Sequence, residues 1–154
     1  MLDPAVVQKA SAFELFSGHV FADRQLLFDA VVSKGYPNEH PEFHIRHRQA
    51  LLANMGDAVI DVLATEHLIR DHGIEKEGEV TSKRQDMVSG SSLNLLGAEV
   101  QRFIAMTSGE EFELYHSSTL AESLEAMAGA LYLDGGLPAA RAFLAKLGFF
   151  EKGH

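Results

Sequence analysis

The feature that most constrains this chain is a glycine and an acid set inside a long apolar-periodic segment, Met55-Gly56-Asp57-Ala58-Val59-Ile60-Asp61-Val62-Leu63. Around it, from about Glu42 to His72, Leu52, Met55, Val59 and Leu63 recur at three- and four-residue spacing, which predicts one long helix with a core-facing stripe. Glycine in a helix interior costs about 1 kcal/mol relative to alanine. A second glycine of this kind, Gly129, falls in LAESLEAMAGALYLDGG, where Leu120, Leu124, Met127 and Leu131 form another buried stripe. Helix backbones approach more closely where side chains are small, so the two segments are expected to pack together and bring Asp57 within reach of Glu125. Residues three or four apart share a helix face, which adds Glu122 beside Glu125, with Asp61 one turn beyond Asp57. Hard cations such as Mg²⁺ take oxygen ligands, usually a few carboxylates completed by water and substrate phosphate. Acids on ordinary solvated helix faces would produce the same spacing, and the glycines would serve close packing alone.

The rest of the chain reads as helical almost throughout. Asp3-Pro4 opens a helix to about Phe16, stopped by Ser17-Gly18-His19, and Asp23 caps a second carrying Leu26, Leu27, Ala30 and Val31. Gly35-Tyr36-Pro37-Asn38 is a loop, Gly73 stops the long helix, and Gly78 to Thr81 is a loop before a helix from about Thr81 to Leu96. A short helix over Ala98–Ala105, a turn at Gly109, a cap at Ser117 or Ser118, a stop at Asp134-Gly135-Gly136 and a last helix over Leu137–Leu147 complete the expectation. No segment alternates with period two long enough for a sheet, so the fold class is all-α.

The 154 residues favour one domain, 1–154, large enough to build a core without staples. Cysteine is absent, which excludes disulfides and thiolate chemistry and fits a cytoplasmic protein. No run of about 18 apolar residues predicts a membrane span, and the N-terminus lacks the pattern of a signal peptide. The net charge is −9, so contacts to nucleic-acid phosphate must be local. Arg46 and Arg48, with His44 and His47, make the start of the long helix basic, and Lys83 with Arg84 forms a second spot. Arg84 would serve equally to hold an internal carboxylate. His40, His44 and His47 offer transition-metal spacing, or solvated positions at a helix entry. His116, before the second acidic helix, is a substrate contact or a surface group.

Four segments, in order, resemble the endonuclease domain of the ribonuclease III family. They are Gly18-His19-Val20-Phe21 with Leu26, Leu27 and Ala30; Met55-Gly56-Asp57-Ala58-Val59; Glu77-Gly78-Glu79-Val80-Thr81 with Arg84, Val88 and Leu93; and Leu120-Ala121-Glu122, Glu125-Ala126, Gly129-Ala130 with Tyr132 to Gly136. The resemblance implies an all-helical domain, usually a homodimer, that cleaves double-stranded or structured RNA with Mg²⁺, for which Mn²⁺ substitutes. It implies Asp57 and Glu125 as catalytic acids, with Asp57, Glu122 and Glu125 as metal ligands, Glu122 standing where the family usually has aspartate. Arg46, Arg48 and Arg84 are the RNA-contact candidates. Three positions depart from the family pattern: Ala53 replaces a glutamate four residues before Asp57, Asn54 replaces an aromatic that packs on the partner subunit, and Ser118 replaces a lysine. Loss of that glutamate implies either a catalytically impaired member acting in RNA–protein assemblies or a likeness to the compact Mini-III branch, whose active enzymes lack it. The Mini-III branch also lacks a double-stranded-RNA-binding domain, and no such domain is expected here.

Overall fold

The computed structural model describes residues 2–151; the ends of the expected 1–154 domain lie outside the described residues. Among the described residues eight α-helices follow one another: α1 (Pro4–Ser17), α2 (Arg24–Ala30), α3 (Tyr36–Glu39), α4 (Gln49–Arg70), α5 (Glu77–Val88), α6 (Gly90–Gly97), α7 (Ser108–Phe112) and α8 (Thr119–Lys146). Short 3-10 segments lie at Pro41–Phe43, Ala98–Phe103 and Leu114–His116. Among the described residues the only β pairing is an isolated parallel bridge between Val32 and Ala105. The all-α expectation therefore holds.

The centre is the pair α4 and α8, and glycines set its spacing. A Cβ built on Gly56 would come within 3.0 Å of the Glu125 carbonyl, and one on Gly129 would do the same to the Leu52 carbonyl and the Gly56 amide. Neither position accepts a side chain unless the helices separate. Around this contact Leu52, Val59, Ile60 and Leu63 of α4 meet Leu124, Met127, Ala128 and Leu131 of α8, all buried. Each buried leucine or isoleucine contributes about 1.5–3 kcal/mol, so the cost of two helical glycines is small beside the contact they permit. Gln49 adds a buried polar tie across the pair, donating from Nε2 to Ser123 Oγ at 3.0 Å.

α8 carries its own break. Gly136 sits at φ 75° and ψ −174°, a left-handed conformation that glycine adopts at little cost. Asp134-Gly135-Gly136 thus kinks the helix, as expected, but the chain re-enters helix at once through Pro138. Asp134 is an anchor: its carboxylate accepts from the Ala22 and Asp23 amides at 2.9 Å each and from His19 Nε2 at 2.7 Å. Burial pushes its pKa up, but the Asp23 amide, the His19 ring and the Ala22 amide outweigh that and hold it below the usual carboxylate range. Glu14 similarly receives the Phe21 amide and Arg24. Together they fasten the 18–23 turn to α1 and α8 and close an aromatic cluster of Phe13, Phe16, Phe21, Phe103 and Phe143.

Several boundaries differ from expectation. The long helix starts at Gln49, not near Glu42, because Pro41–Phe43 forms a 3-10 turn and His44 turns left-handed at φ 52°. Arg46 then reaches back to the buried Asp29 at 2.8 Å, which fixes 44–48 as a connector. Gly78 lies in the first turn of α5 rather than in a loop, and the helix expected to Leu96 divides at Ser89, which has ψ 153° and caps α6 by accepting from the Ser92 amide. Ala98–Phe103 is 3-10, and residues 104–105 extend to make the bridge. Gly109 falls inside α7, which Thr107 and Glu110 start with a reciprocal capping box. Ser118 stands at the α8 N-cap position without capping; its hydroxyl donates to Glu122 Oε1 at 2.7 Å.

Candidate active site

The glycine contact decides what the acids can do. Because Gly56 lies against the Glu125 backbone, the next residue, Asp57, projects beside the Glu125 side chain. Both line an open cleft of about 370 Å³ bounded by Ala53 and Asn54 of α4, Glu122 of α8 and Lys34 from the loop before α3. Asp57 is exposed, and Glu122 and Glu125 are half-buried. Burial pushes the Glu125 carboxyl up to about 7; its hydrogen bond to Asp57 and the Asp57 charge come next, then the charges of Glu122 and Asp61. Glu125 therefore holds its proton toward neutral pH, where its carboxyl hydrogen-bonds Asp57. Asp61, one turn along, is also raised, by burial and by Asp57, with Arg84 opposing. Arg84 donates to Thr65 Oγ1 at 3.1 Å, one turn past Asp61.

Among the described residues no three His, Asp or Glu side chains converge into a ready-made metal cage. The chemistry of the donor set nevertheless fits a hard divalent cation. Carboxyls gathered in a partly buried site, one of them raised by burial and by its acidic neighbours, gain when a cation offsets their charge, and an open cleft leaves room for the waters Mg²⁺ retains. Glu122, held by Ser118, lines the same cleft. Ala53 puts a methyl group where the family pattern has a carboxylate.

The basic candidates divide. Arg46 spends its guanidinium on Asp29. Arg48 is exposed at the start of α4 and, with His47 and Lys34, lines a smaller recess that shares Lys34, Gln49 and Ala50 with the acidic cleft. The three histidines do not gather: His40 stacks on Tyr36 at 4.2 Å and faces Glu39 and Glu42, and His44 and His47 point to solvent. His116 is exposed in the 3-10 turn before α8. Sequence reasoning missed Lys34, Gln49 and Ser123. Lys34 belongs to a loop held from afar, since Glu110 accepts from the Ser33 hydroxyl and the Gly35 amide; no local pattern signals that placement. Ser123, lying between two acids in a row, was the one local hint of an inward polar position.

A sequence model of the ribonuclease III domain matches residues 50–136, which include both halves of this cleft. The chain belongs to the ribonuclease III domain family. It is 32% identical over 141 residues to ribonuclease 3 of Carboxydothermus hydrogenoformans, covering 88% of this chain and 59% of that protein. It is 36% identical over 132 residues to ribonuclease 3 of Symbiobacterium thermophilum, covering 82% and 54%. The chain thus spans less than two thirds of the length of these curated relatives. A crystal structure of the nuclease domain of Campylobacter jejuni ribonuclease III superposes with a TM-score of 0.73 at 24% identity, covering 96% of this chain and 97% of that one. A second, described for flexibility in a region involved in dimer formation, gives 0.73 with 92% and 96% coverage. These likenesses establish a ribonuclease III nuclease-domain fold whose matched segment holds Asp57, Glu122 and Glu125.

Proposed function

We propose that this ribonuclease III domain is a Mg²⁺-dependent endoribonuclease unit that cuts double-stranded or structured RNA in RNA processing. The observation that carries the reading is the meeting of Asp57, Glu122 and Glu125 in one open cleft at the Gly56–Glu125 contact. Asp57 and Glu125 would hold the metal, with Glu122 reaching in from its Ser118 hydrogen bond. Bound there, Mg²⁺ would lower the pKa of a coordinated water and offset charge developing on the scissile phosphate. With the ion in place, Asp57 and Glu125 would also orient the attacking water. Lys34 and Arg48, on the rim and in the adjoining recess, supply the local positive charge a phosphate backbone needs beside a carboxylate cleft. With a net charge of −9, binding is weak and falls steeply with salt.

A homodimer accords with a stripe on the solvent side of α4. Leu51, Ala58, Val62 and Ile69 are exposed along one face, Leu51 at 55% and Val62 at 51%, with Asn54 among them. A second copy would cover this stripe, and two clefts would then address the two strands of a duplex.

The test is cleavage of a long RNA duplex with Mg²⁺ or Mn²⁺. Wild type is expected to cut it to products with 5′ phosphates and short 3′ overhangs, and Asp57→Asn combined with Glu125→Gln to lose that activity. The second reading, an impaired member acting in RNA–protein assembly, has the Ala53 methyl in its favour. Duplex binding without metal-dependent cutting by wild type would establish it instead.

A further inference from the structure

Ten residues beyond Asp57, about 15 Å along α4, the chain brings two imidazoles together. His67 is buried in the last turn of α4, and His72 is exposed just past the Asp71 cap. His67 Nδ1 lies 2.7 Å from Asp71 Oδ2; a ring nitrogen facing a carboxylate carries the hydrogen, so His67 Nε2 presents its lone pair. His72 Nε2 stands 3.2 Å from His67 Nε2, within hydrogen-bond reach. The rings are nearly perpendicular, at 81°, with centroids 4.8 Å apart. An in-line N–H···N bond of that length would put the centroids about 5.5 Å apart. Two imidazoles on one tetrahedral ion, with bonds of about 2.0–2.1 Å, place the nitrogens about 3.3 Å apart and the centroids about 5.2 Å apart. The observed pair matches the chelating arrangement more closely than the in-line bond.

We propose that His67 Nε2 and His72 Nε2 form a binding site for a borderline transition-metal ion of the Zn²⁺ class, separate from the acidic cleft. Asp71 plays the part of the carboxylate that fixes the tautomer and aim of a metal-bound histidine. His72 joins by moving its ring hydrogen from Nε2 to Nδ1, which its exposure allows. Among the described residues no third His, Asp or Glu completes a cage, so water fills the remaining positions and the ion enters from the His72 side. The opposite side is closed by the Phe150 ring, 5.0 Å from His67, under Arg141. Arg141 is paired with Glu66, which offsets its charge near the site. An ion here would tie the 71–73 turn to the end of α4.

The test is calorimetric titration of tag-free full chain with Zn²⁺, in an Asp57→Asn, Glu125→Gln background that removes the cleft as a competing site. One equivalent is expected to bind, at least tenfold more weakly after His72→Ala, and 10–100-fold more weakly after Asp71→Asn. Cu²⁺ as probe should show an electron paramagnetic resonance spectrum with two coordinated nitrogens, reduced to one or none by His72→Ala. His72→Ala with an unchanged metal-free melting temperature and undiminished Zn²⁺ affinity overturns the proposal, as does a Cu²⁺ spectrum without nitrogen coordination.

Discussion

Glu125→Gln separates stability from catalysis and gives the physical reading of the cleft its sharpest test. In the metal-free protein the Glu125 carboxyl sits at about 7, against an ordinary 4.5, because of burial and then Asp57, Glu122 and Asp61. A group whose folded pKa is raised contributes stability that is complete below its unfolded pKa and is lost as pH rises through the folded value. Metal-free wild type should therefore weaken between about pH 4.5 and 7 and level off above. Taken at face value the shift corresponds to roughly 3 kcal/mol; solvent in an open cleft reduces it to about 1–2 kcal/mol. Glutamine keeps the shape and can donate to Asp57, but it has no charge to develop. At pH 8 without metal, Glu125→Gln is expected to be the more stable protein by about 1–2 kcal/mol, a rise of roughly 3–6 °C in melting temperature for a domain of this size. It should also lose most of the slope between pH 4.5 and 7. Adding Mg²⁺ should raise wild type and leave the variant nearly unmoved, since an ion stabilises only a fold that binds it. The assay is thermal or urea unfolding at pH 5, 6, 7 and 8, with chelator and with Mg²⁺. A variant less stable than wild type at pH 8, or one with the same pH slope, would refute the claim that burial and the neighbouring acids raise the Glu125 carboxyl.

Gly56→Ala should cost about 3 kcal/mol or more, because its methyl would overlap the Glu125 carbonyl; urea unfolding would read this, and a loss below 1 kcal/mol would contradict the close helix contact. Asp134→Asn removes the acceptor of two backbone amides and His19 and is expected to cost about 2–3 kcal/mol at pH 7. Since that carboxyl is held below its usual range, its contribution is complete above about pH 4 and fades as pH falls through the lowered value, so the two proteins should converge in acid. Val62→Lys puts a charge in the middle of the exposed α4 stripe and should leave a monomer by light scattering, with a melting temperature that no longer depends on protein concentration, whereas an unaltered dimer would place the interface elsewhere. Ala53→Glu adds a carboxylate to the cleft and should lower the Mg²⁺ concentration that half-saturates cutting; an unchanged requirement would mean the side chain does not reach the ion.

How much of this was readable in the residues differs from place to place. The α4–α8 contact was legible because two costly helical glycines, each next to acids and an apolar stripe, have few explanations besides close packing. Gly136 was legible because a Gly-Gly pair is an unambiguous break. What remained hidden depended on distant partners. Nothing near Arg46 announces that Asp29, seventeen positions away, is buried and in need of a cation, so residues 44–48 looked like a helix start when they form a connector. Lys34 sits in a loop shaped by Glu110, and Asp134 looked like part of a turn although its oxygens organise the 19–23 segment. Pattern reading finds what repeats along one helix, and misses polar groups satisfied across the fold.

Ala53 is where the two kinds of information meet. From the sequence it is a missing glutamate. In the structure it is one wall of the cleft that holds Asp57 and Glu125. A fourth carboxylate at that position would add like charge beside a Glu125 carboxyl already raised to about 7, tightening a bound cation while making the metal-free state costlier. Its absence, with Glu122 engaged by Ser118, leaves a site with fewer charges and more open space. Such a site is expected to hold a divalent ion weakly and to depend on substrate phosphate to complete the coordination, so metal and RNA should bind with positive cooperativity. That coupling is measurable as a fall in apparent Mg²⁺ affinity when the duplex is withheld, and an affinity independent of RNA would show that the carboxylates alone suffice.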